Sequence, residues 1–160
     1  MMILGIDPGS SRMGFGAIRK EGSRLIFVEA GVIGISSKRQ AAKLEAVGAG
    51  LETLFARIAP ERVGIERLFF SKNEKTAMEV AEARGLAIYI AMKYCRDPER
   101  IMEFTPQEAK RSTANWGGAG KKAVARMVAA ILGMPEMDVL DDATDALAIA
   151  ICAANARVPR

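Results

Sequence analysis

The hydrophobic period of this chain changes near residue 36, and that change constrains its fold more than any other feature. Ahead of it, the apolar runs 2–6, 13–19 and 24–35 read as strands. The first stops at Asp7-Pro8-Gly9-Ser10, and Glu21-Gly22 marks a hairpin between the other two. Links this short make the three strands an antiparallel meander. Beyond residue 36, Leu44, Val47, Leu51, Leu54, Phe55 and Ile58 recur every 3.6 residues, with Ser37 and Gln40 as a capping box and Pro60 as the stop. Residues 62–66 and 101–104 revert to short strands. Helices separate and follow them: one capped by Ser71 with Glu74 and running to about residue 94, and one opened by Thr105-Pro106-Gln107-Glu108. A third is marked by Val124, Met127, Val128 and Ile131, and the last spans 140–156. Helices between the later strands require crossover connections and hence parallel pairing. The expected fold is therefore α/β, a mixed five-stranded sheet of an antiparallel meander plus parallel strands, flanked by helices.

With 160 residues, half of them hydrophobic, and no repeat or linker, the chain reads as a single domain over 1–160. It contains no histidine. That excludes a Ser-His-Asp or Cys-His pair and an H-E-x-x-H zinc site, and leaves carboxylates as the first candidates for chemistry. Cys95 and Cys152 form no C-x-x-C pair, which fits small buried hydrophobes in a reducing compartment. The apolar run 146–154 is half a membrane span and the N-terminus lacks a signal-peptide pattern, so a soluble, cytoplasmic protein with no membrane contact is expected. Residues 109–135 hold no acid but carry Lys110, Arg111, Lys121, Lys122 and Arg126, so against a net charge of +4 the rest of the chain is slightly acidic. Such a one-sign stretch is a solvated face or a polyanion-binding patch.

Asp7 and Glu66 each end a strand, where an acid is commonly a turn former or the first solvated residue. If the first and fourth strands pair in parallel, both carboxylates fall at one sheet edge, where ligands of such sheets bind, and their repulsion calls for a cation. The last helix opens with Asp138, Asp141, Asp142 and Asp145. Capping explains Asp138 as N-cap and Asp141 as its N3 partner, but not Asp145, already in the second turn and followed by apolar residues. Spacing leaves open whether Asp141 or Asp142 shares a face with Asp145. Four converging carboxylates suit Mg2+ or Mn2+. Two such ions about 4 Å apart can generate an attacking hydroxide and stabilise the leaving oxygen of a phosphodiester.

Gly5-Ile6-Asp7-Pro8-Gly9-Ser10, Ile65-Glu66, Phe69-Phe70-Ser71-Lys72-Asn73, Ala83-Arg84-Gly85, Lys121 and Asp142-Ala143-Thr144-Asp145-Ala146-Leu147 resemble, in order, the RuvC family of Holliday-junction resolvases. The resemblance implies a ribonuclease H-like fold, and it maps the family's four metal-binding acids onto Asp7, Glu66, Asp142 and Asp145, choosing Asp142 over Asp141. It also implies a Mg2+-dependent homodimer, with two ions per site and Mn2+ able to substitute. Such a dimer nicks two strands of a four-way DNA junction symmetrically, leaving 5′-phosphate and 3′-hydroxyl ends, in recombination and repair alongside the RuvA and RuvB branch-migration proteins.

Phe69 and Phe70 lie just past Glu66 in a polar stretch, where one can stack on an unpaired base and the other can be core. Phe69 matches the family's stacking aromatic, with Lys72 beside it. Lys110 and Lys121 match its basic positions near the scissile strand, and Arg111, Lys122 and Arg126 read as phosphate contacts. Trp116 sits in a Gly-rich loop whose Gly120-Lys121 resembles a P-loop, but Asn115 and Lys122 stand where Gly and Ser/Thr are needed. Gly85 within a helix points to a close backbone approach, and residues 77–94 are the expected dimer interface. YqgF-like nucleases share the early Gly-Ile-Asp-x-Gly strand but lack the Phe-x-x-Lys-Asn and lysine-rich combination. An actin- or hexokinase-like ATPase needs a second half for which this chain is too short. A catalytically silent junction-binding protein requires that the acids fail to assemble.

Overall fold

A computed structural model describes all residues except 36, 38, 69–73, 115–119, 136–138 and 158–160. In chain order the elements are β1 (Met2–Asp7), β2 (Arg12–Glu21), β3 (Arg24–Gly34), α1 (Gln40–Ile58), β4 (Arg62–Glu66), α2 (Glu74–Cys95), β5 (Ile101–Phe104), α3 (Pro106–Ala114), α4 (Lys121–Leu132) and α5 (Asp141–Asn155). One sheet has the order β3-β2-β1-β4-β5. Its first three strands are antiparallel, and β4 and β5 continue it in parallel. The meander turns at Gly22, whose φ of 60° is the left-handed geometry that Gly adopts without strain. This is the mixed sheet that the change of hydrophobic period demands.

Alternation along each strand divides the core. Leu4, Ile6, Val63 and Ile65 face α1 and α2, meeting Val47, Leu51, Phe55, Ala87 and Ile90. Ile3 and Ile18 face the other way, toward α3, α4 and α5. On that second face the sheet presents glycines. A Cβ added at Gly5 would stand 2.0 Å from the Ala146 carbonyl oxygen, one at Gly14 2.1 Å from that of Asp142, and one at Gly16 2.7 Å from the Leu147 nitrogen. Alanines at 146 and 150 complete the close contact, so α5 packs backbone to backbone against β1 and β2. Its last carbonyls take hydrogen bonds from Lys20 (to Ala154) and Arg62 (to Ala153, 2.7 Å), which cap the C-terminus that its own sequence leaves without a cation.

Several local expectations need correction. The Thr105–Glu108 capping box forms in both directions, at 2.7 and 3.1 Å. The Ser37–Gln40 box does not: α1 begins at Gln40, two residues later than that box needs, and the Ser37 hydroxyl accepts from the Arg39 N–H instead. Ser71 lies outside the described residues. In α4 the buried side is Val124, Val128, Ala129 and Leu132, which turns Met127 to solvent. A Cβ at Gly85 would meet nothing within 4 Å, so this glycine serves no close approach within the described chain. A short 3-10 turn, Pro98–Arg100, capped by the Asp97 side chain, precedes β5.

The glycine contact predicts a sharp asymmetry. Gly5→Ala should cost roughly 3 kcal/mol, the upper end of what overpacking costs, because the obstacle is backbone. Gly48→Ala in α1, whose added Cβ would sit 3.5 Å from Leu86, should be neutral or gain up to about 1 kcal/mol. Urea unfolding of the two variants checks this, and equal effects would refute tight α5 packing.

Candidate active site

Asp7 and Glu66 end neighbouring parallel strands. The register Ile6↔Ile65 sets them side by side, and alternation turns both toward the α5 face. Glycines beneath α5 bring its first turns down over this end of the sheet. Asp145 reaches a cavity of about 150 Å³ whose walls include Asp7, Glu66, Lys110, Val124 and Ala148. Three of the four sequence-predicted acids thus share one pocket. Asp142, nearly one turn earlier, lies above Gly14 and forms an ion pair with Arg12. The Arg12 N–H is not aimed to donate, so the buried Oδ2 of Asp142 has a cation beside it but no hydrogen bond.

Burial dominates the electrostatics. It pushes the Asp7 carboxyl up to about 7, helped by the charges of Asp145 and Asp142 and opposed by Lys121. Burial likewise lifts Glu66 to about 8, with Asp7 and Asp145 adding and Lys110 opposing. Asp145 is raised by burial too, against the pull of Lys121 and Lys110. An all-oxygen donor set under mutual repulsion fits a hard divalent cation. Among the described residues no three acids are close enough together to hold one ion.

Asp141 behaves differently. The N-cap of α5 is Leu140, with no side-chain cap, so Asp141 is the first helical residue and not an N3 partner. Its exposed carboxylate takes a 3.1 Å hydrogen bond from Lys121. Of the basic positions, Lys110 lines the pocket, Lys121 is near enough for its charge to act on Asp7 and Asp145, and Arg111, Lys122 and Arg126 are exposed on α3 and α4. Phe69, Phe70, Lys72, Trp116 and Asp138 lie outside the described residues. Sequence reasoning gave no role to two arginines beside the acids. Arg12 follows the β1 turn, and Arg84 donates from α2 to the Glu66 carbonyl. Arg84 sits inside the Ala83-Arg84-Gly85 motif, which was the available signal.

Fold and site together define a ribonuclease H-like protein with an acidic cleft at the carboxyl ends of its central strands. Residues 3–153 match the family model described as crossover junction endodeoxyribonuclease RuvC. The chain belongs to the RuvC family. It is 42% identical to the crossover junction endodeoxyribonuclease RuvC of Rubrobacter xylanophilus over 94% of this chain and 83% of that one, and 37% identical to that of Natranaerobius thermophilus over 98% and 96%. Among solved structures, Thermus thermophilus RuvC in complex with Holliday junction substrate superimposes with a TM-score of 0.85 at 29% identity, covering 95% of this chain and 92% of that one.

The raised carboxyls carry a sign for stability. Between the ordinary carboxyl values near 4 and the folded values of about 7 and 8, the metal-free native state binds more protons than the unfolded chain, so stability falls as pH rises through that window. Melting in EDTA should show a lower midpoint at pH 8 than at pH 5. Mn2+ should raise the midpoint more at pH 8, and a midpoint that climbs from pH 5 to pH 8 in EDTA would contradict the buried-acid reading.

Proposed function

We propose that this protein is a structure-selective endonuclease that resolves four-way DNA junctions by paired phosphodiester cleavages. The observation that carries this reading is the convergence of Asp7, Glu66 and Asp145 in one pocket of a RuvC-family chain. Asp7, Glu66, Asp142 and Asp145 are the proposed ligands of Mg2+, two ions per site, with Mn2+ able to substitute. When bound, the metal offsets the carboxylates and polarises water and the scissile phosphate. Asp142, paired with Arg12 beside the pocket, would be the fourth ligand. Lys110 and Lys121 place positive charge next to the acids, where a phosphate must enter. Lys72, Arg111, Lys122 and Arg126 are the proposed phosphate contacts along the DNA arms, and Phe69, rather than Phe70, is the residue proposed to stack on a base at the opened junction.

A homodimer supplies two such sites, as the near two-fold symmetry of a junction requires. RuvA and RuvB are its proposed partners in the cytoplasm, and residues 1–160 act as one domain. None of the described helices is long and apolar enough to cross a membrane.

Labelled four-way junction and matched linear duplex, each with and without Mg2+, test the reading. Junction-selective, Mg2+-dependent nicking is expected, and equal cleavage of both substrates would indicate a general nuclease. Asp7→Asn, Glu66→Gln, Asp142→Asn and Asp145→Asn should each abolish nicking while junction binding persists, whereas Asp141→Asn should stay active. An inactive Asp141→Asn beside an active Asp142→Asn would overturn the assignment on α5.

The basic surface has its own measurement. Lys122→Ala and Arg126→Ala should each lower the slope of log affinity against log salt by about one unit. Unchanged slopes would reduce both residues to solvated surface.

A further inference from the structure

Glu66 ends β4, and its carbonyl has lost the donor that a parallel sheet would supply. Arg67 donates its N–H to the Phe104 carbonyl at 2.7 Å, so residues 65 and 67 direct their backbone groups at β5 and Glu66 directs its own at β1. With Ile6 opposite Ile65, the next donor in line on the β1 side is residue 8. That residue is Pro8, which has no N–H.

Arg84 fills the gap from the other layer. Its Nε–H donates to the Glu66 carbonyl at 3.0 Å, and its terminal nitrogen pairs with the Glu103 carboxylate on β5. Glu103 stands opposite Ile65 in the β4–β5 register, and Arg67 approaches the same carboxylate at 3.8 Å. The root of Arg84 is fixed, because Ala83 and Ala87 beside it on α2 are buried. Its side chain is only 18% exposed, and the planar guanidinium satisfies two acceptors in two set directions.

We infer that Arg84 is a positioning residue for Glu66: a guanidinium strut from α2 to the ends of β4 and β5 that replaces the missing ladder bond and fixes where the Glu66 carboxylate enters the pocket. The inference rests on the four-acid metal reading and deepens it. Metal ligation tolerates only about 0.2 Å of error in ligand distance, and a pivot of residue 66 about an untethered carbonyl exceeds that at the end of a glutamate side chain. Both acceptors occupy the guanidinium from within the protein, so Arg84 contributes through Glu66 and not by gripping DNA phosphate.

Calorimetric titration of the free full-length protein with Mn2+ is the direct test, read beside thermal melting and junction binding in EDTA. Arg84→Gln should weaken Mn2+ about tenfold or more, the usual effect of removing a support behind a ligand. Junction affinity and its salt slope should not change. Glu103→Gln should weaken Mn2+ less, and Arg84→Lys should recover only part, because one ammonium cannot span both acceptors. If Arg84→Gln fails to fold, Arg84→Lys and Glu103→Gln carry the test. Asp145→Asn separates the two levels. If wild type binds Mn2+, Asp145→Asn loses it, and the Arg84 and Glu103 variants bind as wild type, the strut is refuted and the metal site stands. Undiminished Mn2+ binding by Asp145→Asn, or none by wild type, refutes the metal site and the strut with it. A reduced salt slope in Arg84→Gln would make Arg84 a phosphate contact and overturn the inference.

Discussion

The close seat of α5 on a glycine-lined strip of sheet is the contact on which the rest of this structure depends. Gly5, Gly14 and Gly16 leave no side chains between β1, β2 and the helix, and the backbone of Ala146, Asp142 and Leu147 occupies the space a Cβ would need. A helix seated on ordinary side chains is held off the sheet by them. Here it sinks further, and its first two turns descend to the level where β1 and β4 end. The acids of α5 thereby meet those of the strands.

That arrangement is costly, and the neighbouring residues show how the cost is distributed. Burial lifts the carboxyls of Asp7, Glu66 and Asp145, with neighbouring acids adding: Asp145 and Asp142 on Asp7, Asp7 and Asp145 on Glu66, and Asp141 and Asp142 on Asp145. Lys110, in the pocket wall, and Lys121 oppose the rise. Arg12 holds Asp142 beside the pocket, and Lys121 holds Asp141 at the surface. Divalent cations held by these acids would replace such partial compensations with positive charge inside the pocket. Asp142 has the Arg12 guanidinium beside it, and its buried Oδ2 makes no hydrogen bond.

Much of this was legible in the sequence, for physical reasons that differ by residue. Strand and helix periods pointed to a mixed sheet, because parallel pairing follows from helical crossovers whatever the side chains do, while the order β3-β2-β1-β4-β5 came only with the structure. Asp7 and Glu66 were readable as a pair once β1 and β4 became neighbours, and Asp145 was conspicuous as an acid entering an apolar helix. Spacing alone left Asp141 and Asp142 open: the resemblance chose Asp142, and the structure separates the two by burial and partners, sending Asp141 to solvent and Lys121. Arg84 was illegible in role, since its partner is a backbone carbonyl whose lost donor appears only with the register of β1 on β4. The Ser37 box failed for the opposite reason, a local signal that the actual start of α1 at Gln40 overrides.

Anomalous scattering from a crystal of the protein grown with Mn2+ tests the central claim most directly. Manganese density is expected between Asp7, Glu66 and Asp145, with the Asp142 carboxylate turned away from Arg12 to join them. Density at the exposed Asp141, or none between the strand-end acids at saturating Mn2+, would contradict the claim that the seat of α5 builds a metal site.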